Sequence, residues 1–467
     1  MENSKKKKKF KFPHTYTLIF CILVIVAVMT YIVPAGNYDT IIDPETGAST
    51  LDPTSFRYVD QTPVGFFDLF LSIQKGMVQG SNIIFLIIFA YYSVYTITKT
   101  GSLHGGINVL LKKLNGKEFL AIPIFMVIFA IAGSTYGEWD TIYGLIPIFV
   151  GLAIALGYDA IVGLAMSGLA VSMGFASATT NPFTIGIAQS IAELPLFSGL
   201  GFRVLIFVVF VGTSIIWTMR YASKIKKNPE LSLMKGISVG NLEIDRAELD
   251  KTEFTTKRKV TLLIFLATII LIVYTSLELG WYLDEMSALF LLCGLVVSVL
   301  WGYGPDEIIK NLLDATCEII SAALVIGISR AVVVVLTEGN ILDTIIYSLA
   351  KPLSSFPSWL AAEGMLVFQN IMNFFIPSGS GLATTVMPIM SPLADLVGVN
   401  RQVAVLAFQF GDGYSNLIYP TGAAVMAGIA KVPLDKWYKF FIPLFGVLAV
   451  LQVLFIYIAT VMNYGPF

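Results

Sequence analysis

Charged residues are scarce in this chain of 467 residues: Asp, Glu, Lys and Arg together make up 13% of it. That is about half of the share that soluble domains usually carry. Hydrophobic residues make up 56%. This balance excludes an ordinary soluble domain and predicts an integral membrane protein surrounded by lipid. The net charge of −1 says nothing about partners, because the charges are segregated along the chain; no nucleic acid is expected.

Cysteine and histidine are also rare. The three cysteines, Cys21, Cys293 and Cys317, lie in or beside apolar runs without metal-ligand spacing, so we expect small buried side chains. The two histidines, His14 and His104, are far apart in sequence and lie near predicted span ends. The sequence therefore predicts no metal site and no bound cofactor.

Sequence motifs of common hydrolases and of ATP-driven pumps are missing. The chain has no GxxxxGK[ST], HExxH or GxSxG pattern. The GDG at 411–413 lacks the following Lys and the strand context of a phosphate loop. We therefore expect a protein that is not an enzyme, and any transport that it performs to be secondary.

Long apolar runs are abundant. A spanning helix needs about 20 mostly apolar residues, and the uninterrupted candidates are 15–33, 82–98, 203–219, 260–277, 284–300, 318–336 and 440–460. Four further apolar stretches are interrupted by Gly, Ser, Thr, Asn and Pro: 119–156, 160–194, 360–397 and 402–430. The fold class that follows is an all-α polytopic membrane protein.

Basic segments predict the orientation in the membrane. The tail at 1–12 contains KKKKKFK, and the apolar run after it is longer than the roughly 7–15 residues of a signal peptide, so we expect a cytoplasmic N-terminus. Residues 99–117 and the linker 221–259 are basic and are placed inside, whereas the acidic loop 35–66 is placed outside. The sequence predicts a multi-pass protein of the cytoplasmic (inner) membrane with its C-terminus outside.

The two halves of the chain, 13–220 and 260–467, resemble each other. The segment 96–113 matches 335–352, GSTYGEWDTIYGLIP resembles PSGSGLATTVMP, and ASATTNPFTIG resembles YSNLIYPTGAA. One extra span precedes the second copy and reverses its orientation. We therefore predict an inverted repeat, which is typical of secondary transporters with a site at the repeat interface. A chance resemblance between apolar stretches is the alternative.

Four interruptions lie at matching points of the two copies: 133–141, 177–182, 377–385 and 411–421. We interpret the first and third as the tips of two re-entrant hairpins, and the second and fourth as the unwound parts of two broken helices. Irregular backbone is tolerated at membrane depth where protein buries it or a cavity wets it. Helix packing explains small residues at one break, but four paired breaks favour a binding cavity.

Three acids, Glu138, Asp140 and Asp412, lie within these breaks, which contain no Lys or Arg. An acid at the centre of a membrane helix costs about 2.5–3.5 kcal/mol, so such residues are candidates for function. Pairing of one acid with Arg330, in the span SAALVIGISRAVVVVL, is the structural alternative. The acids favour a solute that has a cationic group.

Three segments resemble a known family: 178–203, which reads ATTNPFTIGIAQSIAELPLFSGLGFR, 373–399 and 409–440. They look like the YfcC family, which belongs to the C4-dicarboxylate carrier (DcuC-like) group of the ion transporter superfamily. The resemblance extends over nearly the whole chain from residue 12. It implies a homodimer with a scaffold part and a transport part in each protomer, two hairpins, two broken helices and an elevator-type motion. It also implies exchange of basic amino acids such as arginine and ornithine, although more distant relatives carry dicarboxylates.

We expect the acids to hold the cationic side chain or the α-amino group of a basic amino acid. Hydroxyl, amide and backbone N–H groups of the breaks would hold its α-carboxylate, and the aromatic residues beside the acids offer packing or cation–π contact. The candidate substrate-binding residues are Ser134, Thr135, Tyr136, Gly137, Glu138, Trp139, Asp140, Thr179, Asn181, Ser378, Gly379, Ser380, Gly381, Asp412, Tyr414, Ser415, Asn416 and Thr421.

Three other functions stay open. One is a sodium- or proton-coupled C4-dicarboxylate carrier, although only Ser415 and Asn416, followed by Leu417 rather than Thr, match the Ser-Asn-Thr pattern of sodium–dicarboxylate carriers. Another is a peptide or neutral amino-acid carrier in which Glu138 and Asp140 bind sodium. The last is a channel or a membrane scaffold that transports nothing. Sodium thus remains a candidate coupling ion.

Overall fold

The structure, a computed structural model, describes residues 15–42, 49–52, 54–114, 116–135, 137, 139–243, 252–279, 281 and 283–465. The basic tail at 1–12 and His14 lie outside these residues. Helices dominate the described part of the chain. Six of its helices are long and apolar enough to cross a membrane, and shorter apolar helices accompany them. The predicted all-α polytopic membrane fold is therefore confirmed.

Most helices follow one another with short connections. Their bounds are α1 (Thr15–Ile32), α2 (Phe66–Gln79), α3 (Ser81–Lys99), α4 (Ser102–Leu114), α5 (Ala121–Thr135), α6 (Ile142–Ala155), α7 (Ala160–Ala176), α8 (Ile187–Ile191), α9 (Leu200–Lys227), α10 (Thr256–Glu278), α11 (Leu283–Trp301), α12 (Pro305–Glu338), α13 (Leu342–Ala350), α14 (Ser358–Phe375), α15 (Gly379–Leu396), α16 (Arg401–Gly413), α17 (Val425–Ile429) and α18 (Leu434–Val461). Single π-helical turns lie inside α7 and before α8 and α17, and short 3-10 turns join several helices.

The connection between α1 and α2 contains two small antiparallel ladders. Strand β1 (Gly36–Asn37) pairs with β4 (Arg57–Tyr58), and β2 (Thr40–Ile42) pairs with β3 (Ser49–Leu51). Arg57 donates hydrogen bonds to both carboxylate oxygens of Asp39, at 2.7 and 2.8 Å, and these bonds lower the pKa of that carboxyl group. Neither the strands nor α2 is expected from the sequence, because none of them contains a long apolar run.

One group of helices is formed by α2, α3, α11 and α12, with α1 against α12. Glycine brings α2 and α12 into close contact. A Cβ atom on Gly76 would lie 2.4 Å from the carbonyl oxygen of Gly327 and 2.5 Å from the amide nitrogen of Ala331. A larger residue at 76 would separate the two backbones, so this crossing determines where the segment 327–331 of α12 lies.

The remaining membrane helices contain one order of elements twice. A helical hairpin (hairpin 1, α5 and α6) is followed by a helix with a break (broken helix 1, α7 and α8) and by the long helix α9. Hairpin 2 (α14 and α15), broken helix 2 (α16 and α17) and α18 repeat this order. The opposite orientation of the two copies in the membrane stays a prediction, as does the division into halves at the linker 221–259.

Proline determines where the second segment of each broken helix begins. Pro182 and Pro420 are the first residues of π-helical turns, and the preceding residues, Asn181 and Tyr419, have extended backbone. Proline has no N–H to donate and disfavours helical backbone at the residue before it. Asn181 also caps the new turn, because its Oδ1 accepts a hydrogen bond from the N–H of Phe183 at 2.9 Å.

Small residues bring the breaks together. A Cβ atom on Gly174, in broken helix 1, would lie 1.9 Å from the carbonyl oxygen of Ala130 in hairpin 1. A Cβ atom on Gly413 would lie 2.2 Å from the Cα atom of Ala176. The two broken helices therefore touch at their breaks, and hairpin 1 packs directly on the first of them.

Gly174→Ala is expected to destabilise the protein, because the added methyl group would force the backbones of α5 and α7 apart. Overpacking of this kind typically costs about 1–3 kcal/mol. Thermal unfolding in detergent should show a lower midpoint for this variant. Gly212→Ala is the matched control, since a Cβ atom at Gly212 on α9 has nothing within 4 Å. Equal midpoints for the two variants would contradict the close crossing.

The burial of the three cysteines differs in part from the prediction. Cys293 is buried, whereas Cys21 and Cys317 are exposed. The prediction of three buried cysteines is therefore wrong for two of them, since α1 and α12 carry these side chains on their exposed faces.

Candidate functional site

Three of the four breaks, 133–141, 377–385 and 411–421, line a cavity of about 390 Å³, and the residues on either side of the break at 177–182 line it too. This volume lies within the range of small-molecule sites, about 300–1,000 Å³. Helices α3, α11 and α12 close its other side. The lining residues are Ile83, Gly137, Trp139, Asp140, Thr141, Tyr143, Phe175, Phe183, Thr184, Leu283, Met286, Ile326, Ser329, Arg330, Pro377, Ser378, Gly379, Ser380, Asp412, Asn416 and Gly422.

The tip of hairpin 1 depends on a glycine. Gly137 has a φ of 78°, and a Cβ atom there would lie 2.5 Å from Oδ1 of Asn181 in broken helix 1. Both the left-handed backbone and the close approach require glycine. The neighbouring candidates Tyr136 and Glu138 lie outside the described residues.

Trp139 is held in place on the cavity wall. Its indole N–H donates a hydrogen bond to the hydroxyl of Tyr143 at 3.0 Å. Its ring meets that of Phe175 edge to face, with 5.2 Å between the centroids. Asp140, half-buried between Trp139 and Tyr143 in sequence, lines the same wall.

The tip of hairpin 2 places a helix N-terminus beside broken helix 2. Ser378 caps α15, and its Oγ accepts a hydrogen bond from the N–H of Gly381 at 3.3 Å. A Cβ atom on Gly379 would lie 2.9 Å from Oδ2 of Asp412 and 2.6 Å from Cγ2 of Thr184. The first amides of a helix attract anions. Hairpin 2 therefore brings such amides to the cavity, close to a buried carboxylate.

Asp412 is 1% exposed. Its Oδ2 atom has no hydrogen-bond partner among the described residues. The backbone carbonyl of Asp412 accepts hydrogen bonds from the side-chain amides of Asn373 and Asn416, at 2.8 and 2.7 Å, which fixes the break around it. A buried carboxylate is costly unless it is neutralised or paired. Asp412 therefore requires a proton or a cation, which the cavity can admit.

Arg330 is a lining residue that the sequence does not predict as part of the site. It lies in the C-terminal third of α12, and no described acid lies within ion-pair distance of its guanidinium. The alternative, pairing of Arg330 with a core acid, is therefore not found for Asp140 or Asp412, and Glu138 lies outside the described residues. A lone arginine in an apolar span is itself a signal of function, and that signal was available in the sequence.

Eight of the candidate residues line the cavity: Gly137, Trp139, Asp140, Ser378, Gly379, Ser380, Asp412 and Asn416. Seven other described candidates are not among the lining residues: Ser134, Thr135, Thr179, Asn181, Gly381, Tyr414 and Ser415. The side chain of Thr421 lies outside the described part of the chain.

Several of these seven residues make contacts that hold the breaks in shape. The hydroxyls of Ser134 and Thr179 are hydrogen-bonded at 3.0 Å, which ties hairpin 1 to broken helix 1. The ring of Tyr414 stacks on that of Phe445, with 4.4 Å between the centroids. Direct contact of these residues with a solute stays a prediction. No group of three or more His, Cys, Asp and Glu side chains that could hold a metal ion occurs among the described residues.

Paired hairpins and broken helices around a cavity with charged lining residues are typical of membrane transporters. The chain belongs to the C4-dicarboxylate anaerobic carrier (DcuC) family, whose model matches residues 12–461. The protein is therefore a membrane transporter and not an enzyme.

Relatives match along nearly the whole chain. A protein of Escherichia coli (strain K12) with the name "Putative basic amino acid antiporter YfcC" is 31% identical, with 96% of each chain covered. An uncharacterized protein of Haemophilus influenzae (strain ATCC 51907 / DSM 11121 / KW20 / Rd) is 29% identical, with 96% of this chain and 97% of the other covered. The resemblance to the YfcC family is confirmed.

Solved structures give more distant likenesses. The YdaH transporter of Alcanivorax borkumensis is 14% identical with a TM-score of 0.42, over 97% of this chain and 100% of the other. MtrF of Neisseria gonorrhoeae is 16% identical with a TM-score of 0.42, over 96% of this chain and 95% of the other.

Proposed function

We propose that this transporter exchanges basic amino acids, such as arginine and ornithine, across the cytoplasmic membrane. The observation that carries the proposal is the charge of the cavity, whose described lining includes two acids, Asp140 and Asp412, and one base, Arg330. A basic amino acid at neutral pH has two cationic groups and one carboxylate. Solute and cavity are therefore complementary in both the number and the sign of their charges.

Burial of Asp412 makes the cavity selective for a cationic solute. Asp412 is almost fully buried and its Oδ2 has no described partner, so an ammonium or guanidinium group would relieve the cost of the unpaired charge. Asn416 and the first turn of α15 supply neutral donors for a carboxylate. The name of the Escherichia coli relative, which refers to basic amino acids, agrees with this assignment.

The same charges favour exchange over one-way transport. With the solute gone, Asp412 would have to take up a proton or cross the membrane as an unpaired carboxylate, which is unfavourable. A second solute removes that penalty, so an exchanged pair crosses more readily than an empty site. This preference is what an antiporter requires.

We further propose an elevator-type motion and a homodimer, as the family resemblance implies. Hairpins 1 and 2 and both broken helices would form the moving part, and α2, α3, α11 and α12 the static part. The cavity lies between these two groups of helices, where a sliding motion could carry the solute. The N-terminus would lie in the cytoplasm and the C-terminus outside.

Counterflow into proteoliposomes loaded with unlabelled substrate tests the proposed function. Vesicles loaded with ornithine should take up labelled arginine, whereas empty vesicles should take up little. Addition of unlabelled lysine, arginine or ornithine outside should compete. Uptake of labelled succinate that arginine cannot compete with would reject the proposal.

A C4-dicarboxylate carrier is the second candidate, because the family description names that solute and because Arg330 and the N-terminus of α15 both favour anions. It would require protons or sodium at Asp140 and Asp412. Coupling to sodium is tested by the same counterflow assay with choline in place of sodium. Strict dependence on sodium would instead favour a sodium-coupled carrier of dicarboxylates, neutral amino acids or peptides. A complete lack of counterflow would favour a channel or scaffold.

A further inference from the structure

We infer that Arg330 selects solutes that have a carboxylate, so that the site accepts basic amino acids and rejects the amines formed by their decarboxylation. This inference rests on the proposed function, and it names the solute group that Arg330 recognises, the carboxylate. Its basis is the position of Arg330, the absence of a counter-ion for its charge among the described residues, and the acids that line the same cavity.

Arg330 is held in position by a helix crossing. It lies on α12 three residues after Gly327, where α2 and α12 come into backbone contact at Gly76. The Arg330 stem runs past the junction of α2 and α3, since a Cβ atom on Gly80 would lie 3.6 Å from Cγ of Arg330. Arg330 is one of the residues that line the cavity. The fold thus presents one fixed cation from a helix that lies outside all four breaks.

The guanidinium of Arg330 lacks a counter-ion from the described part of the protein. No described acid lies within ion-pair distance, and the side chain is only half-buried at the cavity. A guanidinium binds a carboxylate through two parallel hydrogen bonds, which gives geometric selection as well as attraction. The carboxylate of the solute is the anion that the proposed function brings to this place.

A diamine or a guanidino-amine would lack that carboxylate. It would keep both cationic groups, which the acids of the lining attract, but it would bring no anion to Arg330 and would place like charges in one cavity. Such like-charge juxtaposition is a common means of excluding a wrong partner. Arg330 would therefore separate two solute classes that the acids alone cannot distinguish.

Competition of labelled arginine uptake by arginine, argininamide and agmatine tests the inference in proteoliposomes of the full-length protein. Argininamide keeps both cations and loses only the charge of the carboxylate, whereas agmatine lacks the carboxyl group altogether. In the wild type, both amines should compete at least about tenfold more weakly than arginine. In Arg330→Gln, arginine should compete at least about tenfold more weakly than in the wild type, whereas the amines should compete as well as before or better. The preference for arginine over the amines should therefore disappear. Arg330→Lys should keep part of it.

Lys310→Gln is the matched control, because it removes an exposed cation from the same helix, away from the cavity. It should keep the wild-type preference. If Arg330→Gln does not transport, thermal stabilisation of the purified variant by each of the three ligands provides the same comparison without turnover. Wild-type preference retained in Arg330→Gln would overturn the inference and leave the proposed function intact. Binding of succinate but not of arginine by the wild type would overturn both.

Discussion

Asp412→Asn is expected to reduce the exchange of basic amino acids at least about 100-fold, because removing one partner of a buried ion pair costs about 3–5 kcal/mol. The carboxylate lies 1% exposed, and its Oδ2 has no described protein partner. Arginine–ornithine counterflow measures the loss. Stabilisation of the purified protein by arginine, which follows mass action, should disappear in parallel.

The loss at Asp412 should not come from unfolding. An amide of the same shape removes the cost of an unpaired buried charge, so the variant should unfold at the wild-type temperature or above it when no ligand is present. Asp435→Asn is the matched control, since Asp435 pairs with Lys436 and Lys439 at the start of α18, away from the cavity lining. Full exchange by Asp412→Asn would exclude this carboxylate from substrate binding.

Asp140→Asn is expected to change which amino acids compete, rather than to abolish exchange. Two acids and one base give the described lining a net charge of −1, and the substitution brings it to zero. Binding of arginine should weaken about tenfold, or about 1.4 kcal/mol, less than at Asp412 because Asp140 is only half-buried. Citrulline has nearly the shape of arginine but no side-chain charge, so its binding should weaken little.

The ratio of arginine to citrulline competition is the quantity to measure, because it is independent of the amount of active protein in the vesicles. Asp306→Asn, which neutralises an exposed acid in the first turn of α12, should leave the ratio unchanged. An unchanged ratio in Asp140→Asn would mean that this acid serves the structure of the hairpin tip and not the solute.

The breaks could be predicted from the sequence because their causes are local. Proline at 182 and 420 cannot continue a helix from the residue before it, and Gly137 adopts a backbone that other residues rarely adopt. Such residues mark an interruption wherever they occur in an apolar run. The convergence of the breaks at 133–141, 377–385 and 411–421 on one cavity was also predictable, since the same order of elements occurs twice.

The direction of individual side chains could not be predicted in the same way. Thr179 has the chemistry of a ligand-binding residue, but its hydroxyl meets that of Ser134, and neither residue is among those that line the cavity. Arg330 lies in an unbroken helix, and only the crossing of α2 and α12 at Gly76 shows which way it faces. Both outcomes depend on tertiary contacts between segments far apart in the chain, which no local pattern encodes.

Trp139 makes the cavity visible to fluorescence spectroscopy. The chain has six tryptophans, and Trp139 is the one among the described lining residues. Its indole N–H is bonded to Tyr143 and its ring packs against Phe175, so a solute that replaces water there would change the polarity around an immobilised fluorophore. The change in tryptophan emission that the wild type shows and Trp139→Phe lacks would therefore report binding of a solute in the cavity. No label is needed, and stopped-flow mixing can follow the change in time.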